Sequence, residues 1–443
     1  MTGKTLLEAI QTAAAARIFE DLYGPGTAET AGRRYAALIE GMDFPETQGP
    51  LRVFTAAGRT ELGGNHTDHN RGKVLAASIQ LDAVAIVAKR QDKKVFFRST
   101  GYPDVVVNLA ENKREEPGTT ESLVRGIATE LTRRGTEVGG FSANAASTVL
   151  TGSGLSSSAA VEVLLGRIFD NLYGGGKRSA LELAQIGQIA ENIYFGKPCG
   201  LMDQTACASG GAVAIDFKDP DKPRVTQINF DLAAAGYALC VVDTHGSHAD
   251  LTEDYAAIPA EMKAVAAFFG KAVLREVDPR QVLAHAAEIR KAAGDRALLR
   301  AIHFFNENDR VDAMREALLA ADTAQEGTAK LQAIHTFLDL VNQSGSSSVE
   351  LLQNIYAPKH PGEQGISTAL ALTHSFIETE TASSNAAGNG ACRVHGGGFA
   401  GTIQAYIPLE KLSAYKTRME EVFGAGAVTP IRIRPVGAVE LKF

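Results

Sequence analysis

The chain has 443 residues, of which 45% are hydrophobic and 21% charged, and it carries a net charge of −7. This balance, without any lysine- or arginine-rich block, argues against a sequence-blind nucleic-acid binder. The length predicts two domains whose cores are stable without disulfides. The four cysteines are scattered without a CxxC pair, which favours free thiols in the cytoplasm. No apolar run approaches the ~18 residues of a membrane span, so we expect no membrane partner.

The elements predicted in chain order begin with an amphipathic helix over residues 5–20, because Glu8 and Glu20 interrupt its apolar residues. A short strand over 51–57 precedes a polar segment, 58–72, which we expect to lie outside the core. The remaining pattern predicts strands at 74–90, 93–99, 141–150, 211–217, 237–243, 401–407 and 427–442, with helices at 119–134 and 179–195 and a mostly helical stretch at 253–356. The mixture predicts an α+β fold with a boundary near residue 230, giving domains 1–230 and 231–443.

Residues 152–160 read GSGLSSSAA and precede a helical run. Glycines let a backbone approach a ligand closely, and a helix start is a natural seat for phosphate. The hydroxyls of Ser156, Ser157 and Ser158 could reach phosphate oxygens or Mg²⁺. A serine-capped helix after a glycine turn is the alternative, and the residue types alone do not separate the two. The segment lacks the lysine of a Walker loop and, at Ser157, the third glycine of a dinucleotide fingerprint.

Residues 58–70 read GRTELGGNHTDHN and combine a fixed cation, Arg59, with a dense set of hydrogen-bonding side chains. A sugar with many hydroxyls is a natural partner for such a cluster. A metal site on His66, Asp68 and His69 is less favoured, because metal-binding pairs on a helix usually stand four residues apart. A polar turn with Asx caps remains the other alternative.

Two carboxylates lie in the segment AENIYFGKPCGLMDQ, residues 190–204. Glu191 lies at the edge of an apolar helical stripe beside small residues, where it could meet Mg²⁺ near the serine loop; a solvated glutamate is the alternative. Asp203 follows in a partly apolar turn that could orient it for proton handling, or it could simply cap the turn. Three glycines in GGGFAG, residues 396–401, predict a close backbone approach, with a flexible hairpin as the alternative.

Four blocks, in this order, carry a resemblance: GRTELGGNHTDHN, GSGLSSSAA, AENIYFGKPCGLMDQ and HGGGFAG, spanning residues 58–401. Together they resemble the galactokinase branch of the GHMP small-molecule kinases. The resemblance implies two α/β domains with the active site in the cleft between them. It also implies ATP, Mg²⁺ and transfer of the γ-phosphoryl group to the anomeric C1 hydroxyl of a hexose.

The resemblance assigns roles to individual residues. Asp203 would orient or deprotonate the C1 hydroxyl, and Arg59 would stabilise developing charge. Ser157 and Glu191 would hold Mg²⁺. The triphosphate would be cradled by Gly152, Gly154, Ser156, Ser157 and Ser158. The sugar-contacting positions would be Asn65, His66, Asp68 and Tyr255.

The chain departs from the family's pattern mainly at the sugar. Asn65 stands where the family has a glutamate that accepts a hydrogen bond from the C6 hydroxyl, and His69 stands where it has a tyrosine. An arginine pair is missing near Ile258, and Leu150 replaces a proline before the phosphate loop. An amide at 65 would not repel a uronic acid, so we expect a relaxed C6 preference or one moved toward galacturonate, with galactose the leading substrate.

Two further functions are weighed against a sugar 1-kinase. A sugar-sensing regulator could keep the fold without catalysis, but Arg59, Glu191 and Asp203 are all present. A kinase for another small alcohol, such as homoserine or mevalonate, is disfavoured by the block at 58–70. We expect a monomer or a weak homo-oligomer.

Overall fold

The computed structural model describes residues 1–44, 49–113, 115–150, 153–246, 251–324, 327–380 and 390–443. Within these ranges the chain forms an eight-stranded sheet, called the large sheet, and a four-stranded sheet, called the small sheet. Helices cover both, so the predicted α+β class is confirmed. Among the helices in the described ranges, none combines the length and hydropathy that a bilayer crossing requires.

The large sheet is built on two long antiparallel strands, β1 and β2, which pair from Arg52 opposite Val87 to Gly63 opposite Leu75. Their interiors are almost wholly buried, because the sheet is packed on both faces. Its strand order is β12-β1-β2-β5-β3-β4, with β6 and β7 continuing from the far end of β2. The strands are β1 (Arg52–Gly63), β2 (Lys73–Lys89), β3 (Lys94–Ser99), β4 (Val105–Asn108), β5 (Phe141–Ser147), β6 (Ala212–Asp216), β7 (Arg224–Ile228) and β12 (Val439–Leu441).

The N-terminal helices differ from the prediction. The prediction of a single helix over 5–20 is wrong, because the helix is interrupted between Ala9 and Ala13, which separates α1 from α2. Thr12 caps the second helix, its hydroxyl accepting a hydrogen bond from the amide of Ala15 at 3.2 Å. The helices of the first half are α1 (Gly3–Ala9), α2 (Ala13–Tyr23), α3 (Ala28–Glu40), α4 (Thr120–Arg133), α5 (Ser157–Phe169), α6 (Ala180–Ile189) and α7 (Met202–Ser209).

The small sheet has the order β11-β8-β10-β9 and follows residue 230, whereas β12 returns to pair with β1 of the large sheet. The division into 1–230 and 231–443 stays a prediction. The small-sheet strands are β8 (Tyr237–Asp243), β9 (Ala391–His395), β10 (Thr402–Pro408) and β11 (Val428–Ile431). The helices are α8 (Thr252–Phe268), α9 (Pro279–Ala284), α10 (Ala286–Ala293), α11 (Asp295–Thr323), α12 (Thr328–Ser347), α13 (Gly365–Glu380) and α14 (Leu412–Phe423).

The polar segment 58–72 is mostly buried, contrary to the expectation, and His69 is its exposed residue. Its first half extends β1 to Gly63, and the following loop is held by side chains of α11. Glu307 accepts a hydrogen bond from the Gly64 amide at 3.0 Å, and His303 Nε2 lies 2.9 Å from the carbonyl oxygen of Asn65. Buried polar groups are stable when each finds such a partner, and these partners lie more than 200 residues away in the chain.

Candidate active site

Two cavities meet at a shared wall. A smaller cavity of about 210 Å³ and a larger one of about 630 Å³ are both lined by Arg59 and Asp203. The predicted sugar residues of the GRTELGGNHTDHN block line the smaller cavity, and the predicted phosphate residues of the serine loop line the larger one. The first set comprises Asn65, His66 and Asp68, and the predicted catalytic residues Arg59 and Asp203 lie beside them. The second comprises Gly154, Ser156, Ser157 and Ser158. Gly152 lies outside the described residues.

The shared wall is an ion pair between the buried Arg59 and the half-buried Asp203. Arg59 Nε and Nη2 donate to the two carboxylate oxygens of Asp203 at 2.8 and 2.7 Å, a bidentate geometry that fixes both side chains. Burial opposes the charge on Arg59, but the Asp203 carboxylate outweighs it, so the pKa of Arg59 is raised. Arg59 Nη1 also binds the carbonyl oxygen of Gly154, which ties the pair to the serine loop.

The serine loop turns into α5 through two left-handed residues, Gly154 (φ 72°) and Ser156 (φ 60°). Ser156 precedes the helix without capping it, because its hydroxyl instead donates to Asp203 Oδ2 at 2.5 Å. The first N–H groups of a helix have no partner inside the helix. A helix start that lacks a side-chain cap and opens on a cavity is suited to bind an anion.

The HGGGFAG segment joins the small sheet to the serine loop. His395 lies between the hydroxyls of Thr60 and Thr402, each at 3.0 Å, and burial lowers its pKa to about 3. Thr402 in turn donates to the carbonyl oxygen of Ser153 at 3.3 Å. The close approach predicted for the glycines is present: a Cβ on Gly398 would overlap the carbonyl oxygen of Asn354. The segment therefore fixes the loop from behind.

Asn65 lines the smaller cavity, but the protein uses its side chain heavily. It is 1% exposed; its amide nitrogen donates to the Gly396 carbonyl at 2.7 Å and to Glu61 Oε1 at 3.1 Å. Its amide oxygen accepts from Asn354 at 2.9 Å. Both amide hydrogens are therefore committed to the protein, which leaves little capacity for a sugar hydroxyl.

Glu61 places a carboxylate beside Asn65. Burial raises the pKa of Glu61, although Arg393 Nη2 donates to its Oε1 at 2.5 Å and opposes that shift. Glu61 lines the smaller cavity with Asp68 and Asp203. The smaller cavity therefore contains a carboxylate although position 65 is an amide. That carboxylate belongs to Glu61, which stands four residues earlier, on β1.

Three other predicted sugar residues occupy different positions. His66 Nε2 lies 2.9 Å from the Gly397 carbonyl oxygen, and burial lowers the pKa of His66 to about 4. Asp68 packs against Gly200, where a Cβ would overlap its Oδ2. Tyr255 lies behind the cavity wall: its hydroxyl donates to the Gly398 carbonyl at 3.1 Å, and burial raises its pKa to about 12.

Of the two predicted magnesium ligands, only Ser157 lines the larger cavity. Glu191 is buried and holds Lys197, whose Nζ lies 3.1 Å from its Oε1. Lys197 itself lines that cavity. Within the described ranges, no group of three or more His, Cys, Asp or Glu side chains forms a metal cluster. Hydroxyl and carboxylate oxygens suit Mg²⁺, which keeps several positions for phosphate and water and needs few protein ligands.

A second carboxylate supports that fit. Gln204 Nε2 donates to both Glu191 Oε2 and Glu162 Oε2, at 2.9 and 3.0 Å. Glu162 Oε1 is buried and has no hydrogen-bond partner in the described structure. Burial, together with the nearby Glu191 charge, raises the pKa of Glu162. This corner holds more carboxylate oxygen than it has donors, which is the composition that favours a cation.

Two stretches of the chain match known protein families. Residues 43–89 match the galactokinase galactose-binding signature, and residues 122–211 match the GHMP kinases N terminal domain. A galactokinase of Streptomyces coelicolor is 32% identical over 418 residues, covering 93% of this chain and 96% of that protein. The chain belongs to the galactokinase family. A galactokinase of Glaesserella parasuis is 30% identical over 373 residues, covering 83% of this chain and 88% of that protein.

Solved structures share the fold. Lactococcus lactis galactokinase complexed with galactose aligns with a TM-score of 0.71 at 23% identity, over 97% of this chain and 99% of that chain. The Methanococcus jannaschii mevalonate kinase aligns with a TM-score of 0.57 at 13% identity, over 87% and 99%. The fold predicted from the four blocks is confirmed.

Several residues that build the site were not predicted from the sequence. Glu61 resembles any polar residue of an alternating strand, and His303 resembles any histidine of a helical stretch. Lys197 and Gln204 lie inside the AENIYFGKPCGLMDQ block, and their pairing with Glu191 is the signal that was missed. Glu162 could have been found from its spacing, because it stands four residues after Ser158, about one helical turn, and therefore on the same face of α5.

Proposed function

We propose that this member of the galactokinase family transfers the γ-phosphoryl group of ATP to the C1 hydroxyl of galactose. The observation that carries the proposal is the Arg59–Asp203 pair, which lines both cavities. A phosphoryl donor in the larger cavity and an acceptor hydroxyl in the smaller one would meet at this pair. Phosphoryl transfer depends mostly on positioning and charge stabilisation, and a fixed arginine–aspartate wall offers both.

The larger cavity would hold the triphosphate at the start of α5. The uncapped amides and the hydroxyls of Ser157 and Ser158 would bind phosphate oxygens, and Gly154 lets the backbone come close. Gly152 is expected to join them. Apolar side chains farther along the cavity, such as Leu123, Leu150 and Val161, would accommodate the nucleoside.

The smaller cavity would hold the sugar. Asp203 would accept a hydrogen bond, or the proton, from the C1 hydroxyl as the new oxygen–phosphorus bond forms and the bond to the bridging oxygen of ATP breaks. Arg59 would stabilise the negative charge that develops between the two cavities. His66 and Asp68 would bind ring hydroxyls, and Asn65 and Tyr255 would support the walls that contact the sugar.

Ser157 and Glu191 would hold Mg²⁺ delivered with ATP. A bound magnesium ion would neutralise part of the triphosphate charge. For Glu191 to take part, its carboxylate must exchange the Lys197 ammonium for the metal, and Lys197 already lines the cavity where the phosphates would lie. The ammonium would then be free to bind a phosphate oxygen.

The test is a sugar panel with ATP and magnesium, in which ADP release is followed and the product is analysed at C1. The panel contains galactose, N-acetylgalactosamine, galacturonate, glucuronate and arabinose. We expect galactose to be converted to its 1-phosphate with the highest kcat/KM. Binding of galactose and ATP without ADP would instead indicate a sensing protein, and turnover of galacturonate alone would indicate a uronate kinase.

We propose that this activity takes place in the cytoplasm. All four cysteines are free, which supports a reducing compartment such as the cytoplasm. We propose that the protein is a monomer or a weak homo-oligomer.

A further inference from the structure

One carboxylate oxygen in the smaller cavity lacks a donor. Glu61 is 4% exposed, and both side-chain hydrogen bonds that it accepts, from Arg393 and Asn65, end on Oε1. No residue in the described ranges donates to Oε2. Glu61 also lines the smaller cavity, so that cavity is where Oε2 can find a partner.

A nearly buried carboxylate oxygen is costly unless it accepts a hydrogen bond. Arg393 is completely buried and holds Oε1, so the carboxylate cannot swing toward solvent to satisfy the second oxygen. A ligand hydroxyl that enters the cavity would supply the missing donor. The Glu61 carboxylate would also orient that hydroxyl, because the carboxylate is fixed before the ligand arrives.

The strand geometry places this acceptor away from the reacting C1 hydroxyl. Arg59 and Glu61 are two residues apart on β1 and line the same cavity, which separates them by about 6–7 Å along the strand. Arg59 holds Asp203, where the C1 hydroxyl would react. The hydroxyls of a hexose that lie away from C1 are those at C4 and C6. Of these two, only the exocyclic C6 hydroxyl can rotate about the C5–C6 bond to meet a fixed acceptor such as Glu61.

We propose that Glu61 Oε2 accepts a hydrogen bond from the C6 hydroxyl of the sugar and thereby selects a neutral hexose over its uronate. This inference rests on the proposed galactose kinase function. It replaces the expectation drawn from Asn65 alone, because the Asn65 amide donates to Glu61 instead of facing a free site. A uronate would present a carboxylate that has no hydrogen to donate and that Glu61 repels.

The experiment deletes each side of the contact in turn. Wild type and Glu61→Gln are assayed with galactose, 6-deoxygalactose and galacturonate, and kcat/KM is compared. Wild type should prefer galactose over 6-deoxygalactose by about tenfold or more, the factor expected of a hydrogen bond to a charged group. Glu61→Gln should reduce that preference to about threefold or less and raise kcat/KM for galacturonate at least about tenfold. Glu276→Gln, at an exposed ion pair, is the matched control and should match wild type.

Other outcomes overturn the inference. Equal use of galactose and 6-deoxygalactose by an active wild type removes it and leaves the proposed function standing. An equal loss on both sugars in Glu61→Gln does the same, because it marks a structural role only. If that variant does not fold, Glu61→Asp should weaken the galactose preference while still rejecting galacturonate; an unchanged preference would then decide against the contact. A wild type that phosphorylates neither sugar overturns the proposed function as well.

Discussion

The two cavities that meet at Arg59 and Asp203 are built in different ways. The phosphate side of the larger cavity is contributed by consecutive residues, Gly154 to Ser158, at the start of a single helix. The smaller cavity gathers side chains from three distant segments, 59–69, 198–203 and 396–397. A site made from one continuous turn depends on local backbone conformation. In a site made from distant segments, a carboxylate can stand at a different position of the sequence and still line the same cavity, as Glu61 does where position 65 is an amide.

The largest effect should come from removing the residue that serves both cavities. Asp203→Asn keeps the side-chain volume but loses the carboxylate, so we expect kcat to fall about 10²–10⁴-fold, the range of a lost general base. ATP affinity should change little, because the serine loop would still bind the phosphates. Steady-state kinetics and nucleotide titration check both, with the exposed Glu29→Gln as control. Near-normal turnover would show that the two cavities do not react at this wall.

A smaller effect should follow when position 59 keeps its positive charge but loses the bidentate geometry of the guanidinium. Arg59→Lys replaces a planar fork by a single ammonium, which cannot bind both Asp203 oxygens and the Gly154 carbonyl at once. We expect kcat/KM to fall about 10–100-fold, from the loss of charged hydrogen bonds. Thermal unfolding of the variant separates this effect from instability. Full activity would mean that charge alone suffices there.

The contact between the small sheet and the serine loop should respond to pH. His395 has a pKa of about 3 when folded, because it is buried, against about 6.5 when unfolded. Below pH 6.5 the unfolded chain binds a proton that the folded chain does not, so stability falls as the pH falls, by about 1.4 kcal/mol per pH unit. The contribution is complete above pH 6.5 and is lost progressively toward pH 3.

Urea unfolding at pH 7 and pH 5 measures this contribution. His395→Gln should remove about 2 kcal/mol of the difference in unfolding free energy between the two pH values. His66, whose pKa of about 4 is also lowered by burial, would keep its own share in the variant. An unchanged pH dependence in His395→Gln would show that this histidine does not enter the folded core uncharged.

The smallest effect should be confined to the sugar side. Tyr255→Phe removes one hydroxyl that donates to the Gly398 carbonyl behind the cavity wall. A neutral hydrogen bond contributes about 0.5–1.5 kcal/mol, so we expect a rise of about two- to tenfold in the KM for galactose. The KM for ATP and kcat should not change. A larger effect on the KM for ATP than on the KM for galactose would show that Tyr255 does not support the smaller cavity.

The same contrast explains how far the sequence could be read. The α+β fold and the serine loop followed from motifs whose geometry is local: glycines that allow a left-handed backbone, and serines at a helix start. The burial of most of 58–72 could not be predicted, because His303 and Glu307 contact the segment from a helix more than 200 residues later. Glu61 was missed for the same reason, since only its contact with Asn65 and Arg393 gives it a role. Glu191 was expected beside the cavity, but the structure places Lys197 between them.

A crystal structure with galactose and a non-hydrolysable ATP analogue tests the central claim most directly. It should show the sugar's C1 hydroxyl within hydrogen-bonding distance of Asp203 and the terminal phosphate at the start of α5, on opposite sides of the Arg59–Asp203 pair. A structure with both ligands bound and the C1 hydroxyl turned away from Asp203, or with the phosphates remote from Ser156 and Ser157, would contradict the account.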